Sequence, residues 1–271
     1  MEATILTDCT LSGNTASAGD GGGLWSNDGI TVTGCTFSGN KAPAGNGGGF
    51  FNGNPATVTN CTFSGNSAVL GGGLDNGFPA TVVNCTFSGN SATNVGGGIF
   101  NSVDSLTLIN TIVANSTSGL DCFNNGTVNS DHNLIETDSG SPNQCSNGTN
   151  GDILGEDPLL APLGNYGGPT ETFALCTAAG IPDASCTGHS PAIDAGDDAV
   201  TGAPLNLTTD QRGLPRLFGL HVDIGSFEVQ PQALNHAAPA LSTIGMVILV
   251  ALLGAFGWWR PGARRMPSTT S

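Results

Sequence analysis

Basic residues are almost missing from this chain. Its 271 residues hold six Lys and Arg against 21 Asp and Glu, for a formal net charge of −15. Every acid lies before residue 230, where the bases are Lys41, Arg212 and Arg216 alone. A surface this acidic excludes nucleic acid as a partner, because phosphates need a basic face. It also ill suits a uronate lyase. Removing a proton beside a carboxylate calls for Arg or Lys, often with calcium, and the repeats offer Lys41 only. Other catalytic sets are missing too. His132, His189, His221 and His236 lie in separate segments without metal-ligand spacing, and no Gly-x-Ser-x-Gly elbow occurs. Helical periodicity is absent from the first hundred residues, where so many Gly and Asn would make helices costly.

What the chain has is a repeat. CTLSGN begins at Cys9, and CTFSGN at Cys35, Cys61 and Cys85, spacings of 26, 26 and 24 residues. Each is followed by three glycines and a large apolar residue: Leu24, Phe50, Leu74, Ile99. From that residue to the next cysteine the count is constant, so every insertion falls between Gly-Asn and the glycine triplet. Stacked repeats tolerate length changes on one edge in this way. In TVTNCTF, Val58 cannot share a face with Cys61 and Phe63 on one flat strand. Asp8, Gly34, Asn60 and Asn84, each before a ladder cysteine, tolerate positive φ and predict a left-handed bend between two inward-pointing strands. Gly-Asn turns a second corner, and the glycine triplet opens a third strand.

Short strands joined by corners describe an all-β fold, a right-handed parallel β-helix of the pectate-lyase type with about 24–26 residues per coil. Equivalent residues then stack on themselves. Cys9, Cys35, Cys61 and Cys85 form one ladder, Phe37, Phe63 and Phe87 a second, Val32, Val58 and Val82 a third; Asn40, Asn66 and Asn90 recur at the corner. The fifth copy, Leu106 to Ser116, loses the cysteine, and its register is open by one residue. Coils are expected over 1–130, then the last irregular coils and a cap over 131–230.

The ladder cysteines read as buried thiols packing like small apolar residues, in preference to disulfides between coils. Cys122/Cys145 and Cys176/Cys186 each close a polar loop, and both pairs are expected as disulfides in an oxidising compartment. No cofactor is expected, with calcium as the alternative left open. GDGGGLWS and GNGGGFFN look like calcium-binding glycine-rich repeats, but Asp20 is matched by Asn46, so the recurrent acid is lacking. Acids fail to recur in register elsewhere, which argues against a glycosidase pair. Asp197-Asp198 reads as a solvated turn.

After a linker at 231–240, residues 241–259 are uncharged, LSTIGMVILVALLGAFGWW. As a helix this run spans roughly 28 Å, close to a bilayer's hydrocarbon thickness. Trp258 and Trp259 end it, and Arg260, Arg264 and Arg265 follow in a basic tail at 260–271. A transmembrane helix with a cytoplasmic C-terminus and an exported acidic body is the expectation. Met1 leads straight into strand-like ATILTDCTL, so a missing upstream signal and further coils are expected as well.

DPLLAPLGNYGGPTETFAL (from Asp157), HSPAIDAGD (from His189), TDQRGLPR (from Thr209) and DIGSFEVQ (from Asp223) follow the coils in order. With them the chain resembles the bacterial choice-of-anchor Q proteins, which carry polymorphic-outer-membrane-type β-helix repeats. The tail APALSTIGM resembles the IPTL-CTERM sorting signal in Pro239, Leu241, Ser242, Gly245 and Met246, and departs from it at the usual Ile, Thr, Glu and Trp positions. The resemblance implies a Gram-negative cell-envelope protein, anchored or handled by a sorting enzyme. The function expected is non-catalytic contact with a glycan or protein ligand; the alternative is a carbohydrate-active enzyme whose catalytic coils lie upstream.

Overall fold

A computed structural model describes residues 4–138, 142–180 and 182–230. The repeats wind into about five turns of parallel β-solenoid. Sheet A stacks Thr4–Thr7, Ile30–Thr33, Ala56–Thr59, Ala80–Val83, Ser105–Ile109 and Thr127–Asp131. Sheet B stacks Thr10–Ser12, Thr36–Ser38, Thr62–Ser64, Thr86–Ser88, Ile112–Ala114, Leu134–Ile135 and Ile153–Leu154. The glycine triplets lead into sheet D, made of Leu24–Ser26, Phe50–Asn52, Leu74–Asn76, Ile99–Asn101 and Cys122–Asn124. Beyond the three strands read from each repeat, the variable segment forms a fourth, short sheet C from Lys41–Ala42, Ser67–Leu70 and Ser91–Val95.

The bend between sheets A and B lies where the sequence puts it. Asp8, Gly34, Asn60 and Asn84 have φ of 51°, 66°, 52° and 51°, and Asn110 continues the series at 47°. Five left-handed residues in line aim both flanking strands inward, so Val58, Cys61 and Phe63 are all fully buried. Asn110 also settles the fifth copy: Leu106 pairs with Ala80 and Ile112 with Thr86, and Thr111 takes the ladder cysteine's place.

Stacking in register makes each ladder a continuous interaction. Phe37, Phe63 and Phe87 lie nearly parallel, with centroids 4.6 and 4.3 Å apart. Asn14, Asn40 and Asn66 each donate from Nδ2 to the Oδ1 of the next in the series, which ends at Asn90, at 3.0, 3.0 and 2.9 Å. From Asn40 onward each also donates back to the carbonyl of Leu11, Phe37 or Phe63. Buried amides are tolerable when their donors are used in this way. A second chain, Asn52–Asn76–Asn101–Asn124, runs inside the sheet D corner at 2.7–2.8 Å and went unread in the sequence.

Cys35, Cys61 and Cys85 are buried free thiols, and Cys9 is half-buried in the first coil. Burial holds Cys61 well above the ordinary thiol range. Cys122 is joined to Cys145 and Cys176 to Cys186, the two expected pairings. The first draws the 142–152 segment over the far end of the interior, where Cys145 packs with Ile135 and Val113 in the main core.

The irregular segment expected as a cap instead runs back along the solenoid's flank as a strap. Thr170 Oγ1 donates to Gly34 O in the second coil, and Asn110 Nδ2 donates to Asp197 O in the fifth. An apolar core forms outside sheet B from Ile112, Ala114 and Leu134 with Leu175, Ala192, Ile224 and Phe227. Where the strap crosses earlier coils the contact is polar. Thr62 Oγ1 meets Thr172 Oγ1 at 2.9 Å and donates to Gln211 Oε1 at 2.6 Å, while Gln211 Nε2 donates to Thr36 Oγ1 at 3.0 Å.

Among the described residues no helix is long and apolar enough to cross a membrane. The transmembrane helix expected at 241–259 lies outside the described residues, as do the linker, the basic tail and His236.

Two outcomes check this account. Denatured, unreduced protein should titrate four thiols, whereas eight would refute both disulfides. Phe63→Ala should cost about 3–5 kcal/mol in chemical denaturation, because it empties the centre of a fully buried stack.

Candidate functional site

Three outer faces of the solenoid are partly committed. The strap covers sheet B from the second coil on, so Thr36, Thr62 and Thr86 face outward yet are buried. It also reaches sheet A, where Val200 and Val222 pack on Val83. The rest of sheet A presents Thr31, Thr57, Thr81 and Thr107 along a shallow groove of about 360 Å³. Sheet C is short, and its outer positions carry Lys41, Thr93 and Asn94 to solvent.

Sheet D is different. Its inward residues are the apolar series already named, and alternation turns the next residue of each coil outward. Register aligns Trp25, Phe51, Asp75, Phe100 and Phe123 in one row. Trp25 is 56% exposed, Phe51 and Phe123 are half-buried, and Phe100 sits 6.1 Å from Phe123 between ring centroids. Aromatic side chains on four coils, stacked at roughly 4.8 Å per coil, make an apolar strip whose accessible members are Trp25, Phe51 and Phe123.

The glycine triplet explains why this strip has its shape. The first glycine is left-handed in four coils, at Gly21, Gly47, Gly71 and Gly96. A Cβ there would lie 2.5–2.6 Å from the carbonyl oxygen of Leu24, Phe50, Leu74 or Ile99. The variable segment therefore closes directly against the strip's backbone, as a side chain would not allow.

Asp75 interrupts the aromatics. It is 2% exposed, between Phe51 and Phe100 in register, and its Oδ1 has no hydrogen-bond partner. Burial, reinforced by the negative charge of Asp20, pushes its carboxyl up to about 7. Asp20 itself accepts from Asn46 N at 2.7 Å, so the acid of the first glycine-rich segment bonds the backbone of the next coil. Among the described residues no group of three or more His, Cys, Asp or Glu is placed to hold a metal ion.

Two of the sequence histidines pair with acids. His132 Nδ1 lies 2.7 Å from Asp131 Oδ1, and His221 Nδ1 lies 3.0 Å from Asp198 Oδ2, with His132 near enough to act electrostatically on Asp198 as well. Asp197 accepts from Ala199 N and caps the short 3-10 helix Asp198–Thr201, while Asp198 Oδ1 accepts from Val222 N; the pair organises a turn. A concavity of about 390 Å³ beside the last coil is lined by Ile109, Asn129, Ser130, Asp131, Ser146 and Asn150, and the hydroxyls of Ser130 and Ser146 both donate to Asp152 Oδ2.

The stretches after the coils build a buried polar knot. Arg216 is fully buried and donates to Asn60 Oδ1 and Gly225 O, both at 2.8 Å. Arg212 pairs with Asp210 at 2.6 Å, and its guanidinium lies 3.6 Å from the Phe227 ring centroid. Glu228 Oε2 accepts from Asp223 N at 2.9 Å. Burial raises Asp223 to about 6 and Glu228 to about 8, the latter also through the charge of Asp223. Arg216 clamps the strap to the coils at Asn60, while Arg212, Asp210, Asp223 and Glu228 tie the strap to itself. Sequence reading missed these roles for Arg212 and Arg216, although two lone cations in an acidic body were the available signal. It missed the sheet D strip as well, which was visible as the residue following each post-glycine apolar position.

Arg216→Met should destabilise the fold by about 3–5 kcal/mol, since it strands Asn60 and the acids around the guanidinium. Asp75→Asn tests the buried carboxyl. An acid raised from 3.8 to about 7 favours folding fully below pH ~4, and this contribution is lost as pH rises through 7. Relative to the parent, the Asn variant should therefore gain about 2–4 kcal/mol between pH 4 and pH 8.5 in denaturation experiments.

Searches of curated proteins and of solved structures return no significant match. A family model described as the right handed beta helix region matches residues 7–154, more than half of the chain. Strands, register and ladders agree with that match, and the chain belongs to the right-handed β-helix family.

Proposed function

We propose that this protein is a non-catalytic β-helix of a Gram-negative cell envelope that contacts glycan through the outer face of sheet D. The accessible rings of Trp25, Phe51 and Phe123, in one row with the buried Phe100, carry the reading. Flat apolar rings at coil spacing suit the C–H faces of successive sugars, and a polar rim supplies hydrogen bonds. The acidic body disfavours polyanionic uronates and leaves neutral glycans as the ligand class. Export and attachment through 241–259 rest on that run's length, its tryptophan end and the arginines beyond it. The choice-of-anchor Q resemblance supports an envelope location, and the sorting-signal resemblance supports a processing enzyme as a partner.

A second reading is favoured by one observation. Asp75, held near 7 beside a strip able to seat sugar, has the protonation a general acid requires, and Asp20 is the acid that influences it. A carbohydrate-active enzyme would use such a pair.

One experiment separates the two. Purified protein should bind a neutral polysaccharide in affinity electrophoresis or calorimetry, and Trp25→Ala should weaken binding about tenfold, the equivalent of roughly 1.4 kcal/mol. Reducing-end assays should stay at background. Release of new reducing ends that Asp75→Asn abolishes would establish the enzyme reading instead.

A further inference from the structure

Between residues 214 and 220 the strap holds four large apolar side chains in solvent. Leu214, Leu217, Phe218 and Leu220 are 38%, 50%, 42% and 81% exposed. The loop that bears them is fastened at several points. Arg216, in their midst, turns inward to Asn60 and Gly225. Phe218 N donates to Glu228 Oε1 at 3.0 Å, and Leu220 N donates to Asp194 Oδ1 at 2.8 Å. Gly219, at φ 108°, lets the Asp194 carboxylate pack where a Cβ would stand. A backbone so well held keeps its leucines outward by construction, and the described fold makes no use of them. Exposed apolar groups gathered in one loop mark a contact surface.

The position of the chain's exit indicates what that surface meets. Gln230 Nε2 donates to Pro215 O at 2.9 Å, so the described chain ends beside this loop. The linker 231–240 follows, then the uncharged run from Leu241 to Trp259. Ten residues reach at most about 35 Å when fully extended. If the run inserts in a bilayer, the leucine loop is tethered close to that bilayer's surface.

We propose that Leu214, Leu217, Phe218 and Leu220 form a membrane-seating loop that enters the interface of the bilayer holding residues 241–259. The inference rests on the membrane reading of that run and adds a second point of attachment to it. Shallow insertion of leucine and phenylalanine side chains into the headgroup–acyl boundary removes them from water. A single point of attachment would leave the solenoid free to rotate; a second contact fixes its orientation. The loop's surroundings choose the lipid. Asp194, Asp198, Asp210 and Glu228 lie around it, with Arg212 already paired to Asp210 and His221 to Asp198. A zwitterionic surface is therefore preferred to an anionic one.

The test uses the full chain reconstituted in phosphatidylcholine vesicles, with Trp258→Phe and Trp259→Phe to silence the run's own indoles. Phe218→Trp then places an indole in the loop, and Trp25 on the solenoid serves as the internal control. Brominated acyl chains should quench the introduced indole at least threefold more than Trp25. Adding Leu217→Ser and Leu220→Ser should abolish that difference. Equal quenching in a chain that resists alkaline carbonate extraction would overturn the seating loop and leave the anchor standing. Removal of the chain by carbonate would overturn both.

Discussion

The left-handed residue between sheets A and B is the constraint on which the solenoid depends. With Asp8, Gly34, Asn60, Asn84 and Asn110 all at φ near 50–65°, two consecutive strands point the same way into one interior. Without that bend, strict alternation would send either Val58 or Cys61 and Phe63 outward, and the coil could not close around an apolar centre. Once it exists, stacking follows with little further specification. Each coil offers the next the same side chain at the same place, so phenylalanines pair face to face and asparagines hand a hydrogen bond along the axis. The same bend leaves Asn60 and Asn110 with polar groups directed outward, and the strap attaches at both residues, to Arg216 and to Asp197.

Much of this was legible because a solenoid repeats its errors as well as its rules. Four copies of one sentence revealed the period, the inward ladders and the bend, and the structure puts each where the alternation argument requires. What was not legible is the strap. Its residues lack a period, and its contacts join positions more than a hundred residues apart, such as Thr62 with Thr172 and Ser226. A trace of it was nevertheless present. The outward position of sheet B reads Thr36, Thr62, Thr86 and then Ile112 and Leu134; that of sheet A reads Thr33, Thr59 and then Val83 and Ile109. An outward row that turns apolar partway along must be covered from there on. The sheet D strip is less legible for a different reason: it is carried by the neighbour of the repeated inward residue, which is aromatic in four coils and Asp75 in the third.

The buried acids show how a protein so poor in cations handles charge. Asp75, Asp223 and Glu228 all sit above the ordinary carboxylate range because burial penalises their ionised forms. In the knot the cost is shared. Backbone N–H groups of Asp194 and Val229 serve Asp223, those of Phe218 and Asp223 serve Glu228, and Arg216 supplies a fully buried positive charge. Asp75 has no such company at its Oδ1. The contrast matters for function. A carboxyl wrapped in donors and a cation belongs to the architecture, whereas one left bare in a row of aromatic rings is strained without a structural return.

That asymmetry, together with the way the surfaces are divided, points away from the repeat motif and toward what it supports. The strap has taken sheet B and part of sheet A, the interior is filled by ladders, and the variable segment is pinned by left-handed glycines against the edge of sheet D. Length changes there alter the wall beside the aromatic strip without disturbing the strands that carry it. A ligand surface built in this way can be re-cut by insertion or deletion while its ring spacing stays fixed by the coil. On the proposed glycan reading the loops form the rim of the contact, and the most informative residues are the outward ones of sheet D, whose positions the repeat dictates and whose identities it leaves free.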